Sequence, residues 1–182
     1  MKLETERLIL REFEKRDLNE LVKNINNLQI SKWLLTVAYP YTKKDGVWWV
    51  NKNLKWKKQK DREQYNFVLQ LKDKTFIGSM GFVISKQHKT GDIGYWLGEG
   101  YWRKGYGSEA LEKILEFGFK KLKLRKIEAK VFEGNPSSGK LLENFGFKLE
   151  GRHPESVICK ADGKIRTDLS YGLLKKDWEK KK

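Results

Sequence analysis

The sequence predicts an α+β fold: a mixed, mostly antiparallel sheet of about seven strands with helices packed on both faces. Three observations carry this expectation. Short runs rich in β-branched and aromatic residues recur between turn signals. Two segments with helical spacing, 105–122 and 136–145, each follow such a run. No repeat, low-complexity linker or Pro/Gly-rich hinge divides the chain, and 182 residues at 21.5 kDa suit a single domain over 1–182.

Alternation from Arg7 to Phe13 reads as a first strand. Asp17-Leu18-Asn19-Glu20 has the spacing of a capping box that starts a short helix, and Thr42 with Asp45 forms a second such box. The helix after Thr42 carries Val47, Trp48, Trp49, Val50, Leu54 and Trp56. Tyr65–Leu71 and Phe76–Ile84 form a hairpin about a turn at Asp73-Lys74, and Asp92–Leu97 is the next strand. From Gly105 to about Leu122 runs a long helix with Leu111, Ile114, Leu115, Gly118 and Phe119 at helical spacing. Lys126–Phe132 is a strand, Pro136 opens a helix that reaches Phe145, and two further strands flank the Asp162-Gly163 turn. The lysine-rich tail, 176–182, is expected to fray.

Composition narrows the function classes. No apolar run is long enough to span a bilayer, and the N-terminus lacks the apolar core of a signal peptide, so the expectation is a cytoplasmic chain with no membrane partner. One cysteine, Cys159, and two isolated histidines, His88 and His153, give no internal disulfide and no metal-ligand spacing. Lys and Arg total 39 against 24 Asp and Glu, a net charge of +15. Much of that excess solvates helix faces, but a basic surface also attracts polyanions such as nucleotide phosphates, RNA or acidic peptides. The sequence leaves monomer and homodimer both open.

The most informative stretch is Tyr101-Trp102-Arg103-Lys104-Gly105-Tyr106-Gly107-Ser108-Glu109-Ala110-Leu111. A strand, a glycine turn and a helix N-terminus together present unpaired amides and the positive end of a helix dipole, which suits phosphate or pyrophosphate. After the strand at 126–132 comes Asn135-Pro136-Ser137-Ser138, then four residues, then Glu143-Asn144-Phe145-Gly146-Phe147. This ordered pair of segments resembles the GNAT superfamily of acetyl-CoA-dependent N-acetyltransferases, whose motifs read Gln/Arg-x-x-Gly-x-Gly/Ala and Asn-x-x-Ser/Ala, four residues, Glu-x-x-Gly-Phe. One position departs, with Trp102 standing where the family has Gln or Arg. The opening Glu4-Thr5-Glu6-Arg7-Leu8-Ile9-Leu10-Arg11, Ile93–Leu97 and Tyr171–Leu174 are similar to the branch containing the ribosomal-protein N-terminal acetyltransferases.

The resemblance implies a GNAT fold, acetyl-CoA as donor, no metal, and direct acetyl transfer in a ternary complex to a primary amine, foremost a protein or peptide N-terminal α-amine. It places the pantetheine arm beside Trp96, Leu97 and Gly98, with an amide near Leu97 polarising the thioester carbonyl. The pyrophosphate falls on the amides of Trp102, Arg103, Lys104, Gly105, Tyr106, Gly107 and Ser108. Arg103 and Lys104 either add charge near the phosphates or are ordinary exposed side chains, and Lys140 faces either the adenosine phosphate or solvent. Asn135 contacts the cofactor arm or caps its helix, and Ser138 protonates the departing thiolate or is likewise a capping residue. Asp92 and Glu155 are the two candidate bases. The acceptor alternatives are a small amine, such as an antibiotic or amino acid. Outside catalysis stands a basic RNA- or ribosome-binding module, suggested by Trp48-Trp49…Lys52…Lys55-Trp56, although an amphipathic helix accounts for those aromatics.

Overall fold

The computed structural model describes residues 1–181. The chain runs β1 (Lys2–Glu4), β2 (Leu8–Glu12), α1 (Leu18–Ile25), α2 (Leu28–Ser31), α3 (Lys43–Lys58), β3 (Gln64–Leu71), β4 (Phe76–Ser85) and β5 (Thr90–Leu97). It continues through α4 (Tyr106–Glu116), β6 (Lys126–Phe132), α5 (Pro136–Asn144), β7 (Lys148–Ile158), β8 (Ile165–Leu174) and α6 (Lys175–Glu179). One sheet of eight strands results, in the order β1-β2-β3-β4-β5-β6-β8-β7. Its pairings are antiparallel except between β5 and β6.

Alternation along β3 shows how the two faces are covered. Phe67 and Leu69 join Leu8, Leu10, Ile77 and Met80 beneath Leu111, Ile114 and Leu115 of α4. Val68 points the other way, to Phe13, Phe76, Leu21 and Ile25 of α1 and Val50 of α3. Strand periodicity thus buries both faces of the sheet under helices. Close approach at Gly118 tightens the first layer, because a Cβ there would lie 3.0 Å from both Phe82 and Ile127.

Several local expectations meet the structure directly, among them the Thr42–Asp45 capping box and the strand 126–132. Others are corrected. Asp17 does not cap α1; it accepts from Arg11 Nη1 (2.8 Å) and Nη2 (2.6 Å) and from the Glu14 amide (2.7 Å), closing a capping box on the preceding 3-10 turn. The helix expected to reach Leu122 is α-helical only to Glu116 and widens into a π-turn over Phe117–Lys121. The tail does not fray from 176: α6 docks Trp178 against Phe119, with ring centroids 5.0 Å apart. Lys182 lies outside the described residues.

Asp17 is buried and Arg11 largely so, and Arg11 also donates to Gln70 Oε1 at 2.5 Å. Asp17→Ala leaves the guanidinium uncompensated, and urea unfolding is expected to show a loss of about 3–5 kcal/mol. A loss below about 1 kcal/mol, the value of an exposed pair, would mean that water replaces the carboxylate.

Candidate active site

The parallel ladder between β5 and β6 stops at Ile93 and Ala129, although both strands continue. On its other edge β5 stays paired with β4 as far as Leu97, and the Gly98 amide donates to Ile77 O at 2.9 Å. Antiparallel bonds alternate, so pairing at Gly98 and Trp96 turns the amide and carbonyl of Leu97 away from β4, toward the gap beside β6. Trp102 Nε1 reaches into that gap and donates to Leu97 O at 2.8 Å. This is the residue that departs from the motif, and its indole is built into the mouth of the cleft.

At one end of the gap lies a compartment of about 490 Å³. Its border includes Trp96, Leu97, Trp102, Arg103, Gly105, Tyr106, Gly107, Ser108, Asn135 and Lys140, which is every expected cofactor residue except Gly98 and Lys104. Gly98 is buried against β4. Lys104 extends its ammonium over the Tyr101 ring at 5.9 Å. Arg103 (φ +58°) and Gly105 (φ +81°) both take left-handed backbone, which turns successive amides to one side. The first intrahelical bond of α4 runs from Glu109 N to Gly105 O at 3.1 Å, so the amides of Tyr106, Gly107 and Ser108 have no intrahelical acceptor. A Cβ at Gly107 would meet only ordinary contacts at 3.6 Å, so packing does not demand glycine there; its absence leaves room for a ligand to reach the backbone. A nest of free amides at a helix N-terminus suits the pyrophosphate of a coenzyme.

Behind it, on the α1/α3 face of the sheet, is a larger compartment of about 870 Å³. Trp33, Leu34, Tyr95, Trp96, Asn135 and Ser138 border both compartments, which therefore meet at the end of β5 and the start of α5. Asn135 caps α5, accepting from the Ser138 amide at 3.3 Å. Gly139 lets α5 sit close on β8, since a Cβ there would lie 3.1 Å from the Tyr171 hydroxyl. The Tyr95 hydroxyl is buried at the junction; Ser138 approaches it without reaching ordinary hydrogen-bond geometry. Burial pushes the Tyr95 pKa up to about 12.

Register sets the floor of the larger compartment. Asp92 lies opposite Glu128, Lys130 opposite Ser170, and Phe132 opposite Asp168, all on one sheet face. Asp92, Lys130 and Asp168 line the cavity. Asp92 is open to the cavity yet walled by protein, and desolvation raises its carboxyl pKa; Lys130 opposes this, while Glu128 and Asp168 add to it. Desolvation likewise raises Asp168, against Lys130 and His153. Trp33, Tyr41, Trp48 and Trp49 form the walls. The 33–38 segment is anchored to the last hairpin by Lys160 N donating to Leu35 O at 3.3 Å and by the buried Cys159 thiol against Lys32 O at 3.6 Å.

Glu155, the second candidate base, lines neither compartment. It sits exposed in an irregular part of β7 at φ +49°. The acid that shares the floor with Asp92 is Asp168, which the sequence reading missed together with Tyr95. Asp168 shows only once the β6–β8 register is known, whereas Tyr95 lay one residue before an expected contact. Among the described residues no cluster of three or more His, Cys, Asp or Glu is arranged to hold a metal, and no helix is long and apolar enough to cross a membrane.

The model of the acetyltransferase (GNAT) domain matches residues 7–148, and the chain belongs to that family. It is 33% identical over 179 residues to an uncharacterized N-acetyltransferase, p20, of Bacillus licheniformis, covering 97% of each chain. It is 30% identical to another, YnaD of Bacillus subtilis (strain 168), covering 98% and 99%. The crystal structure of a GNAT-family acetyltransferase from Bacillus anthracis superposes with a TM-score of 0.83 at 26% identity over 97% and 99% of the two chains. The protein is an N-acetyltransferase, and acetyl-CoA is the acetyl donor in its family.

Ionising Asp92 in its folded surroundings costs stability. With its pKa raised above the ordinary 3.8, the relative stabilisation is complete below that value and is lost as pH rises through the folded pKa. Asp92→Asn is therefore expected to melt higher than wild type at pH 7 and to match it near about pH 3. Thermal unfolding at both pH values checks this, and a lower melting point at pH 7 would mean that the cavity favours the carboxylate.

Proposed function

We propose that the chain transfers an acetyl group from acetyl-CoA to a primary amine, with the N-terminal α-amine of a protein or peptide as acceptor. The observation that carries this reading is the meeting of the amide nest and the acid-floored cavity at Tyr95, Trp96, Asn135 and Ser138. In the smaller compartment the free amides of 106–108 and the left-handed turn hold the phosphates, with Lys140 at its border. Acetyl-CoA bound there supplies an acetyl group activated as a thioester. The Leu97 amide, turned to the gap, is the donor for the thioester carbonyl oxygen. Asp92, with Asp168 on the floor of the same cavity, takes the proton of the incoming ammonium, directly or through water. The Tyr95 hydroxyl stays protonated through neutral pH and, with Ser138, is the proton source for the departing sulfur.

The lining charges of the larger cavity balance: Lys44, Lys130 and Lys160 against Asp45, Asp92 and Asp168. A balanced cavity in a protein of charge +15 does not favour a polycation. It suits one amine attached to an apolar body. Trp48 at the border is 58% exposed, which leaves a way out for the rest of a peptide chain. The basic surface suits an acceptor presented on RNA or the ribosome, in keeping with the sequence resemblance to the ribosomal-protein acetyltransferases. A volume of about 870 Å³ also fits a free small amine, which is the second reading. The RNA-binding alternative is disfavoured at α3, where Lys52 already lies 5.4 Å over Trp48 and 5.9 Å over Trp56.

Amine-dependent release of the CoA thiol, measured across peptides of varied first residue and free amines, tests the acceptor. Turnover with peptides above that with matched free amines supports the first reading, and the reverse order supports the second. Tyr95→Phe is expected to lower kcat about 100-fold while leaving the acetyl-CoA KM within about twofold. Unchanged kcat in Tyr95→Phe alongside a comparable loss in Ser138→Ala would move the proton source to the serine.

A further inference from the structure

The N-terminal segment before β2 touches the amide nest from outside the cleft. Glu109, in the first turn of α4, accepts from Thr5 Oγ1 (2.5 Å), the Arg7 amide (2.7 Å) and Arg7 Nε (2.6 Å). The same guanidinium donates from Nη1 to Lys104 O at 3.0 Å and lies 4.7 Å over the Tyr106 ring. Its Nη2 would be 3.1 Å from a Cβ at Gly105. One side chain thus contacts or borders residues 104, 105, 106 and 109, the centre of the turn in which Arg103 and Gly105 adopt left-handed backbone and the helix residue that follows it.

From this geometry we infer that Thr5, Arg7 and Glu109 form a clamp that holds the 103–108 turn in its anion-binding conformation, with Arg7 a positioning residue for the pyrophosphate. The inference rests on the cofactor reading above. Two features favour a positioning role over a purely structural one. Arg7 keeps 45% of its side chain exposed, and an exposed ion pair contributes little to stability. Glu109, by contrast, is a negative charge close to a phosphate site. Desolvation raises its pKa, but the donors from Thr5 and Arg7 outweigh that and leave it below the ordinary carboxylate range, ionised and turned to the clamp. The fork of an arginine reaches the Glu109 carboxylate from Nε and the Lys104 carbonyl from Nη1, two separated nitrogens; a lysine has all its donors on one nitrogen and cannot span the two acceptors in the same geometry.

The test compares wild type, Arg7→Met, Arg7→Lys and Thr5→Val by calorimetric titration with CoA and by kinetics with acetyl-CoA and with acetyl-pantetheine, which lacks the pyrophosphate. Arg7→Met is expected to raise the CoA Kd and the acetyl-CoA KM on the order of tenfold, with kcat within twofold and acetyl-pantetheine kinetics unchanged. Arg7→Lys is expected to resemble Arg7→Met, and Thr5→Val to show a smaller loss in the same direction. Thr5→Val also keeps the test decisive if Arg7→Met fails to fold. Wild-type affinity in Arg7→Met, full rescue by lysine, or an equal loss with acetyl-pantetheine would overturn the clamp while leaving the cofactor site in place. Absence of CoA binding to the wild type would overturn the cofactor site itself, and the clamp with it.

Discussion

The end of pairing between β5 and β6 is the constraint on which the rest of the structure depends. A sheet buries its backbone polar groups by pairing them, and an unpaired inner strand is tolerated only where something else takes its bonds. Here β4 holds β5 in line to Leu97 while β8 holds β6 in line to Phe132, so neither strand follows the other past Ile93 and Ala129. The gap between them is framed by two helices that start close to it. The N-terminus of α4 carries the free amides of 106–108, and that of α5 carries Asn135 and Ser138. An edge that needs hydrogen-bond partners thus lies beside a helix end that prefers negative charge, a combination suited to an extended ligand with amides along its length and phosphates at one end.

The two compartments differ in their polar groups. The α4 end carries free amides that suit an anion, with Arg103 and Lys140 at its border, whereas the floor of the other compartment holds Asp92 and Asp168 with Lys130. Two carboxylates on one sheet face, only partly compensated by Lys130, cost stability, as the raised pKa values of both indicate. A purely structural design would place apolar side chains there. The same groups are suited to accept a proton from an ammonium, because a carboxylate nearer neutrality transfers protons more evenly with an amine than one at its ordinary value.

The donor half was legible in the sequence because its chemistry is local. Gly105, Gly107 and the start of α4 lie within a few residues of one another, as do Asn135, Pro136 and Ser138, so two short motifs and their resemblance to a family place them at two helix starts. The Thr42–Asp45 box and the strand 126–132 were readable for the same reason. The acceptor half is long-range. Asp168 comes to the same cavity floor as Asp92 only through the β5–β6–β8 register, across β6 and four positions along it, and Glu155 lies outside both compartments in the irregular part of β7 between His153 and Val157. Asp17 has the spacing of a cap, yet the guanidinium of Arg11 is a stronger partner than the amides of α1. Strand β1 is three residues long and has no apolar alternation of its own, and α6 persists because Trp178 finds Phe119.

The distribution of unmet polar groups supports locating function at this junction. Among the described residues, three buried side-chain nitrogen or oxygen atoms lack a partner: Asn66 Nδ2, the Tyr95 hydroxyl and Arg166 Nε. Two of the three residues, Asn66 and Tyr95, line the larger cavity. Each such atom costs about 1–3 kcal/mol relative to a satisfied one, and folded proteins retain few of them. Tyr95 lies where the two compartments meet and Asn66 lies elsewhere along the larger cavity, so both are polar groups that a ligand there could satisfy. The N-terminal segment fits the same logic: Thr5 and Arg7 hold a turn in which Arg103, a non-glycine residue, is left-handed at a cost, and their hydrogen bonds leave the amides of 106–108 free.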